Sequence, residues 1–160
     1  MQSILNYNPL TGIFYWKVRT DVRPRWNTRY AGKKAGSIQT GKHFTPRITI
    51  AIYKTHFIAT HLAWRIMTGE FPNKEIDHED GNSMNNIWKN LRKASRSQNS
   101  CNTKTRRNGL KGAYKQKNRW RSIIMYNGVR KHLGYFKTEQ AAHAAYCEAA
   151  IRLHKKFARF

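Results

Sequence analysis

The sequence EIDHEDGN occupies positions 75–82, and it concentrates negative charge in a chain that is otherwise strongly basic. The 160 residues include 31 Lys and Arg but only 8 Asp and Glu, and four of those carboxylates lie here: Glu75, Asp77, Glu79 and Asp80. Because carboxylate and amide oxygens are the donors that hard divalent cations prefer, this clustering predicts a metal site. His78 adds the side-chain type that accepts a proton from water near neutral pH.

Two asparagines follow the acidic stretch. Asn90 stands twelve residues after His78, and Asn99 stands nine residues after Asn90. We predict that Asp77 and Asn99 supply oxygen ligands to the metal and that His78 acts as the base. Because neighbouring residues of a strand point to opposite faces, Asp77 and His78 need an irregular backbone to reach one site.

Turn and periodicity signals predict the elements around this stretch. A helix over 60–68 is predicted to end at Gly69, and Ser95 with Gln98 forms a capping-box pattern that predicts a helix start. The basic segment 19–36 has no clear period and is predicted to be a mobile loop. Strands are predicted at 13–18, 47–53, 55–59, 75–80 and 91–94, with a loop over 81–89.

The spacing of Asp77, His78, Asn90 and Asn99 resembles the motif of HNH nucleases. Other segments, in the same order, are similar to the flanking sequence of phage-type HNH homing endonucleases: YNPLTGIFYW at 7–16, LAW at 62–64 and TGEFP at 68–72. The likeness covers nearly all of the first hundred residues. It implies an α+β chain whose nuclease domain has the ββα-metal fold.

The resemblance also implies a role for each site residue. Asp77 and Asn99 would hold one Mg²⁺ ion, with Mn²⁺ as the alternative, at the scissile phosphate and the leaving 3′ oxygen. His78 would be the general base, and Asn90 would bridge the loop backbone and orient His78. Two alternatives stay open: Asp77 pairs with a neighbouring cation such as Arg92, or Asn99 is an ordinary amide on a helix surface.

One position departs from the resembled family. There, the LAW segment is usually preceded by His-Arg, whereas this chain has Thr60-His61. A group that contacts phosphate or supports the site is therefore missing or shifted by one residue. The predicted metal and base positions are intact, which favours an active nuclease.

The last fifty residues carry a second likeness. Strands are predicted over 110–116, 120–126 and 129–135, with an Asn-Gly hairpin turn at 127–128, and a helix is predicted from Thr138 to about His154. Gly112, Trp120, LGYF at 133–136 and TEQAA at 138–142 resemble the AP2 DNA-binding domain, in which a three-stranded sheet lies in the major groove. Alternation places five candidate DNA-binding residues on the outer sheet face: Tyr114, Gln116, Arg121, Arg130 and His132.

Composition limits the partners. The formal net charge of +23 indicates a polyanion, and from Gly81 to Thr138 fifteen Lys or Arg occur without a single carboxylate. The sequence has no run of about 18 apolar residues, so we predict no membrane anchor. It has no charged start followed by an apolar core, so we predict no secretory signal. The two cysteines, Cys101 and Cys147, form neither a disulfide framework nor a CxxC zinc site, which fits a reducing compartment.

The sequence therefore predicts a homing-type, metal-dependent DNA endonuclease that nicks double-stranded DNA. We expect an HNH nuclease domain at 1–100, a basic linker at 101–108 and an AP2-like domain at 109–160. We favour a monomer that has no small-molecule substrate. We expect it in the cytoplasm, which is that of the host cell if the gene comes from a bacteriophage. The alternatives are a non-catalytic DNA-binding regulator that retains an HNH fold and an RNA-binding protein.

Overall fold

The computed structural model describes residues 3–42, 44–102 and 109–160. In these residues the chain is a mixed α and β protein with four α-helices and four small sheets. It divides into two compact units, Met1–Lys93 and Ala94–Phe160, which we call the first and the second unit. None of the helices in the described ranges has the length and apolar character that a bilayer span requires.

Two three-stranded sheets build most of the first unit. The first sheet contains β1 (Leu5–Asn8), β2 (Ile13–Trp16) and β3 (Lys34–Ala35), and the second contains β4 (Ser37–Gly41), β5 (Phe44–Ile52) and β6 (Thr55–Ile58). Neighbouring strands in both sheets are antiparallel. A short helix, α1 (Pro24–Tyr30), connects β2 to β3.

Helix α2 (Ala59–Thr68) packs its buried face into the core of the first unit. Its first half contributes Ala59, Leu62 and Ala63, which join a cluster that includes Leu5, Phe14 and Ile50. Gly69 ends the helix in the left-handed conformation, as predicted. Because α2 begins directly after β6, the position of Thr60 in its first turn is fixed by both elements.

The acidic stretch begins with one strand of a two-stranded sheet. Strand β7 (Glu75–His78) pairs with β8 (Leu91–Ala94), and helix α3 (Arg96–Cys101) follows β8. The predicted capping box is confirmed, because the Ser95 hydroxyl accepts from the Gln98 N–H and the Gln98 side chain accepts from the Ser95 N–H. His78 is the last residue of β7, so the chain turns immediately after it.

The second unit contains a three-stranded sheet and a long helix. The sheet order is β11 (Val129–Phe136), β10 (Arg119–Tyr126), β9 (Ala113–Gln116), and both pairs are antiparallel. Helix α4 (Glu139–His154) begins at Thr138, whose hydroxyl accepts from the Ala141 N–H. The small residues Ala149 and Ala150 pack with Ile124 and Tyr146 in a buried cluster.

The prediction of a mobile loop over 19–36 is wrong. This segment contains α1 and β3, and Trp26 of α1 packs edge-on against Trp16 of β2 at 5.3 Å between ring centroids. The short helix has no apolar period of its own. Packing of Trp26, rather than intrinsic helix propensity, stabilises it. Polar composition therefore misled the prediction.

The predicted domain boundaries stay a prediction. The division into units falls between Lys93 and Ala94 and so groups α3 with the second unit, whereas the sequence assigned it to the nuclease domain. Of the predicted linker, Cys101 and Asn102 belong to α3 and the turn after it, and positions 103–108 lie outside the described residues.

Candidate active site

His78 contacts a buried hydroxyl and a buried amide. Its Nε2 lies 3.3 Å from Asn86 Oδ1 and 3.4 Å from Thr60 Oγ1, and the Thr60 hydroxyl donates to the same Asn86 oxygen at 2.7 Å. We call Thr60 and Asn86 the hydroxyl–amide pair. Because Asn86 Oδ1 is an acceptor, this arrangement assigns the proton of neutral His78 to Nε2 and the basic lone pair to Nδ1.

The environment of His78 favours its neutral form. Burial lowers the pKa of His78 below its ordinary value, and this effect outweighs the hydrogen bond to Asn86 and the carboxylates of Asp80 and Asp77, which act in the opposite direction. A neutral imidazole is the form that accepts a proton from water. The residue is therefore held in the protonation state that a general base needs.

The amide of Asn86 has an unmet donor. Asn86 is 2% exposed, and its Nδ2 has no hydrogen-bond partner within the described ranges. A buried donor without an acceptor is costly, so such atoms in folded proteins commonly meet a water or a ligand. The described residues therefore leave the hydrogen bonding of the hydroxyl–amide pair incomplete at this nitrogen.

Asp80 and Asn90 close the loop between β7 and β8. Asn90 donates from Nδ2 to Asp80 Oδ1 at 3.0 Å and to the Asn85 carbonyl at 2.8 Å, and its Oδ1 accepts from the Asp80 N–H at 2.9 Å. Asp80 also accepts from the Asn85 side chain and from the Asn82 N–H. Asn90 therefore bridges the loop backbone next to His78, while its catalytic role stays a prediction.

The N-terminal hairpin supports the same loop from outside. The Tyr7 hydroxyl donates to the Asn86 carbonyl at 2.6 Å, and burial raises the pKa of Tyr7 to about 12, so it stays a donor. The Trp88 N–H donates to the Pro9 carbonyl at 2.9 Å. These bonds explain why the segment at 7–16 accompanies the acidic stretch, because they fix the backbone that carries Asn86.

Gly12 lies so close to this loop that a side chain would displace it. Gly12 has φ +70°, and a Cβ atom there would stand 2.5 Å from the Asn86 carbonyl carbon. We expect Gly12→Ala to destabilise the protein by about 3 kcal/mol or more and to lower activity, because backbone atoms must move. The measurement is urea unfolding together with the cleavage rate.

Gly32→Ala is the matched control for that substitution. Gly32 has φ +76°, but nothing lies within 4 Å of the position of its Cβ. It should cost only about 1–2 kcal/mol, the effect of a left-handed conformation alone. Equal losses in the two variants would contradict the claim that Gly12 makes room for the Asn86 backbone.

Asp77 is buried and paired with a cation. It is 3% exposed, and Arg92 donates from Nε to its Oδ2 at 2.8 Å. Arg92 Nη1 also lies 3.5 Å from Glu79 Oε1. Asp77 and Glu79 are thus directed to Arg92, whereas His78 between them contacts the hydroxyl–amide pair, as the alternation of a strand requires.

The residues predicted to hold a metal have suitable donor chemistry. A carboxylate such as that of Asp77 offers two hard oxygen donors, the kind that divalent cations prefer. An amide oxygen at Asn99 would add a second hard donor. Asp77 belongs to the first unit and Asn99 to the second, so their joint site stays a prediction. The described ranges contain no cluster of three or more His, Cys, Asp or Glu that could hold a metal.

The candidate DNA-binding residues share one face of the second unit. Tyr114 and Arg121 are opposite each other in the β9–β10 pair, and His132 is opposite Ile123 in the β10–β11 pair. Arg130 is opposite Met125 on the same face, and Gln116 stands two residues beyond Tyr114. A register shift between Ser122 and Ile123 changes the alternation along β11. As a result, His132 and Arg130 lie on the same face as Tyr135, which is opposite Arg121.

A concave pocket opens on this face. Its volume is about 260 Å³, and within the described ranges the Nε of Arg121, which lies in its lining, has no hydrogen-bond partner. Three cationic side chains and several apolar ones surround it: Lys111, Arg121, Arg130, Tyr114, Ile123, Met125 and Tyr146, with Gly112 at the edge. Such a lining suits an anionic or base-edge acceptor beside an apolar group.

Two residues that contact His78 were missed in the sequence. In the sequence, Asn86 lies within the predicted loop over 81–89, and Thr60 is a departure from the resembled family. The structure pairs them, and the Thr60 hydroxyl occupies the place next to Asn86 and His78. The two residues are 26 positions apart, so no local pattern predicts their contact. The replacement of the usual His by Thr was the sequence signal that pointed to position 60.

Comparisons with known proteins concern part of the chain. Residues 58–101 match the family model described as HNH endonuclease. Over 95 residues, 58% of this chain, the sequence is 35% identical to an uncharacterized HNH endonuclease of Acanthamoeba polyphaga mimivirus, and the match covers 50% of that relative. The chain thus spans about half the length of that curated protein. No solved structure matches the present chain.

Proposed function

We propose that this chain is a metal-dependent DNA endonuclease that hydrolyses a phosphodiester bond. The proposal rests on one coincidence: the segment that matches HNH endonucleases, 58–101, contains His78, and a buried hydroxyl–amide pair holds that imidazole with its basic nitrogen assigned. The homing type, the ββα-metal fold and the nicking of one strand are the finer parts of the same proposal.

His78 takes the proton from the attacking water in this mechanism. Neutral His78 presents Nδ1 as the base, since Nε2 donates to Asn86 Oδ1. When the imidazole becomes charged, the nearby carboxylates of Asp77 and Asp80 stabilise it. Asn90 keeps the loop closed, so that the Asn86 amide stays against His78 during the transfer.

Asp77 and Asn99 are the residues that would hold a divalent cation, with Mg²⁺ proposed. When bound, the cation supplies Lewis-acid stabilisation of the charge on the leaving 3′ oxygen. Asp77 contributes a buried carboxylate. Arg92 holds it in position through an ion pair of 2.8 Å between Nε and Asp77 Oδ2.

The second unit is proposed to bind and place double-stranded DNA. Its outer sheet face carries Tyr114, Gln116, Arg121, Arg130 and His132, and cationic side chains line the pocket beside Arg121. The likeness to AP2 domains, with the sheet in the major groove, is part of this proposal. A truncation that ends at Ser100 should lose placement if this role is correct.

The test of the function is strand cleavage of supercoiled plasmid. The protein should convert it to open circles with Mg²⁺ and leave it intact with EDTA, while single-stranded RNA competes weakly for binding. Binding without any cut in Mg²⁺ or Mn²⁺ would remove the enzyme. RNA binding tighter than duplex DNA binding would favour the RNA-binding alternative.

A non-catalytic DNA-binding regulator is the second candidate. The ion pair between Asp77 and Arg92 favours it, because the same bond stabilises a carboxylate that binds no metal. The two candidates differ in the response of the protein to Mg²⁺.

A further inference from the structure

The segment between β2 and β3 carries strong positive charge on ordered backbone. Asp21 is the only carboxylate among residues 1–69, and it lies within this segment. The same segment carries five exposed cations, in α1 and beside it and at the start of β3, and we call them the α1 basic surface: Arg23, Arg25, Arg29, Lys33 and Lys34.

Asp21 does not neutralise these exposed cations, because Arg19 occupies it. Arg19 is 7% exposed and donates to both Asp21 oxygens, from Nε at 3.0 Å and from Nη2 at 2.6 Å. The Tyr53 hydroxyl donates to Asp21 Oδ2 at 2.5 Å. These hydrogen bonds hold the pKa of Asp21 well below its usual range, so the carboxylate stays charged.

The same residues fix helix α1. The Arg19 guanidinium stacks on Trp26 at 5.1 Å and on Tyr53 at 4.9 Å. Asn27 of α1 accepts from the Arg19 N–H at 3.0 Å and donates to the Arg19 carbonyl at 2.7 Å. We call Arg19, Asp21, Trp26 and Tyr53 the Arg19 cluster.

The hairpin turn that delivers Tyr53 is strained. Tyr53 and Lys54 form the two-residue turn between β5 and β6 and have φ +49° and +67°. Such turns favour Asn-Gly, since left-handed backbone is unfavourable for bulky side chains. Here the strained turn places a Tyr, 68% exposed, against Asp21.

Helix α1 would not form on its own. It has seven residues, no acidic residue in its first turn and no side-chain cap, and Arg25 and Arg29 stand one turn apart on the same face. The repulsion between these cations is tolerated because the Arg19 cluster and Trp16 hold the helix. A rigid array of cations that the fold supports against its own repulsion suits a polyanionic partner.

We propose that the α1 basic surface binds the phosphodiester backbone of duplex DNA and that the Arg19 cluster preorganises it. This inference rests on the proposed function and names a DNA contact of the first unit that is separate from the sheet of the second. One helical turn sets Arg25 and Arg29 about 6 Å apart along the axis. Phosphates of one strand advance about 3.4 Å each, so the two cations can meet different phosphates.

The first experiment compares two double variants of equal charge. Arg25→Gln with Arg29→Gln removes two cations of the α1 basic surface, and Lys42→Gln with Lys74→Gln removes two exposed cations elsewhere in the first unit. Affinity for a short duplex oligonucleotide is measured in EDTA between about 50 and 200 mM salt. EDTA makes the result independent of cleavage.

The first variant should bind about 10- to 100-fold more weakly near 0.1 M salt, and its log–log salt slope should fall in magnitude by about 2. The control should change both quantities much less. Equal losses in the two variants would overturn the proposal, because position would then not matter. If the parent binds DNA but does not cut it, the proposed function fails and this inference stands.

The second experiment measures the DNA affinity of Asp21→Ala. A change of charge alone predicts a higher affinity, whereas loss of preorganisation predicts a lower one. This variant removes a negative charge, so a simple charge count predicts tighter binding. Loss of the Arg19 cluster should instead weaken binding several-fold, with the rest of the first unit still folded by circular dichroism. Binding as tight as that of the parent would refute the role of the cluster.

An anionic membrane is the other polyanion that this surface could meet. Vesicles of phosphatidylcholine and phosphatidylserine provide the probe, with the same two double variants. The proposal expects the Arg25/Arg29 variant to lose DNA affinity. Full DNA affinity combined with lost vesicle binding would assign the surface to membranes and overturn the proposal.

Discussion

His78→Ala is expected to lower the rate of DNA cleavage by about 10²- to 10⁴-fold, the usual contribution of a general base. Affinity for DNA should stay within about twofold of the parent value, because His78 is a small part of a surface that carries many cations. The measurement is the single-turnover nicking rate of supercoiled plasmid at saturating protein, with the dissociation constant measured separately in EDTA.

His56→Ala is the matched control for this variant. His56 is an exposed histidine of β6 in the same unit, and it is opposite Ala51 of β5. It should cut at the parent rate. If His78→Ala also cuts at that rate while remaining folded, another group takes the proton and the assignment of the base is wrong.

Asp77→Ala is expected to destabilise the protein by about 3–5 kcal/mol, because it removes the buried carboxylate that pairs with the partly buried Arg92 guanidinium. The Arg92 side chain is only 12% exposed, and its Nη1 also lies 3.5 Å from Glu79 Oε1. Arg92→Ala should cost a similar amount. Lys89→Ala, an exposed cation nearby, should change the free energy of unfolding by less than about 0.5 kcal/mol.

The response to Mg²⁺ separates the two roles of Asp77. A ligand present at one hundred times its dissociation constant stabilises the folded state by about 2.7 kcal/mol. We expect Mg²⁺ to raise the melting temperature of the parent and of Arg92→Ala but not that of Asp77→Ala. An unchanged response in Asp77→Ala would mean that the carboxylate only pairs with Arg92, which favours the non-catalytic regulator.

Local signals predicted most of the elements. Asn127-Gly128 predicted the hairpin, and both residues have positive φ between β10 and β11. Ser95 with Gln98 and Thr138 predicted the starts of α3 and α4, because a cap is decided by residues three positions apart. Such signals depend on neighbours in the chain, and one sequence contains them in full.

The contacts that build the site depend on tertiary packing. Asn86 meets Tyr7 and Thr60, which are 79 and 26 positions away, so no local pattern could distinguish it from the turn-forming Asn82 and Asn85. Helix α1 was missed for the same reason, since Arg19 and Tyr53 hold it from outside. The position of Asp77 and His78 was predicted, but the buried partners of each were not.

The most direct test of the account is the pH dependence of the single-turnover cleavage rate. The base is active when neutral, so the rate should be constant above the pKa of His78 and fall about tenfold per pH unit below it. Burial lowers that pKa, and a bound cation would lower it further, so both effects move the acid limb in the same direction. We expect the midpoint of this limb to lie below about 6.5, the ordinary pKa of histidine, and no such limb in His78→Ala. A midpoint above that value, or the same acid limb in His78→Ala, would contradict it.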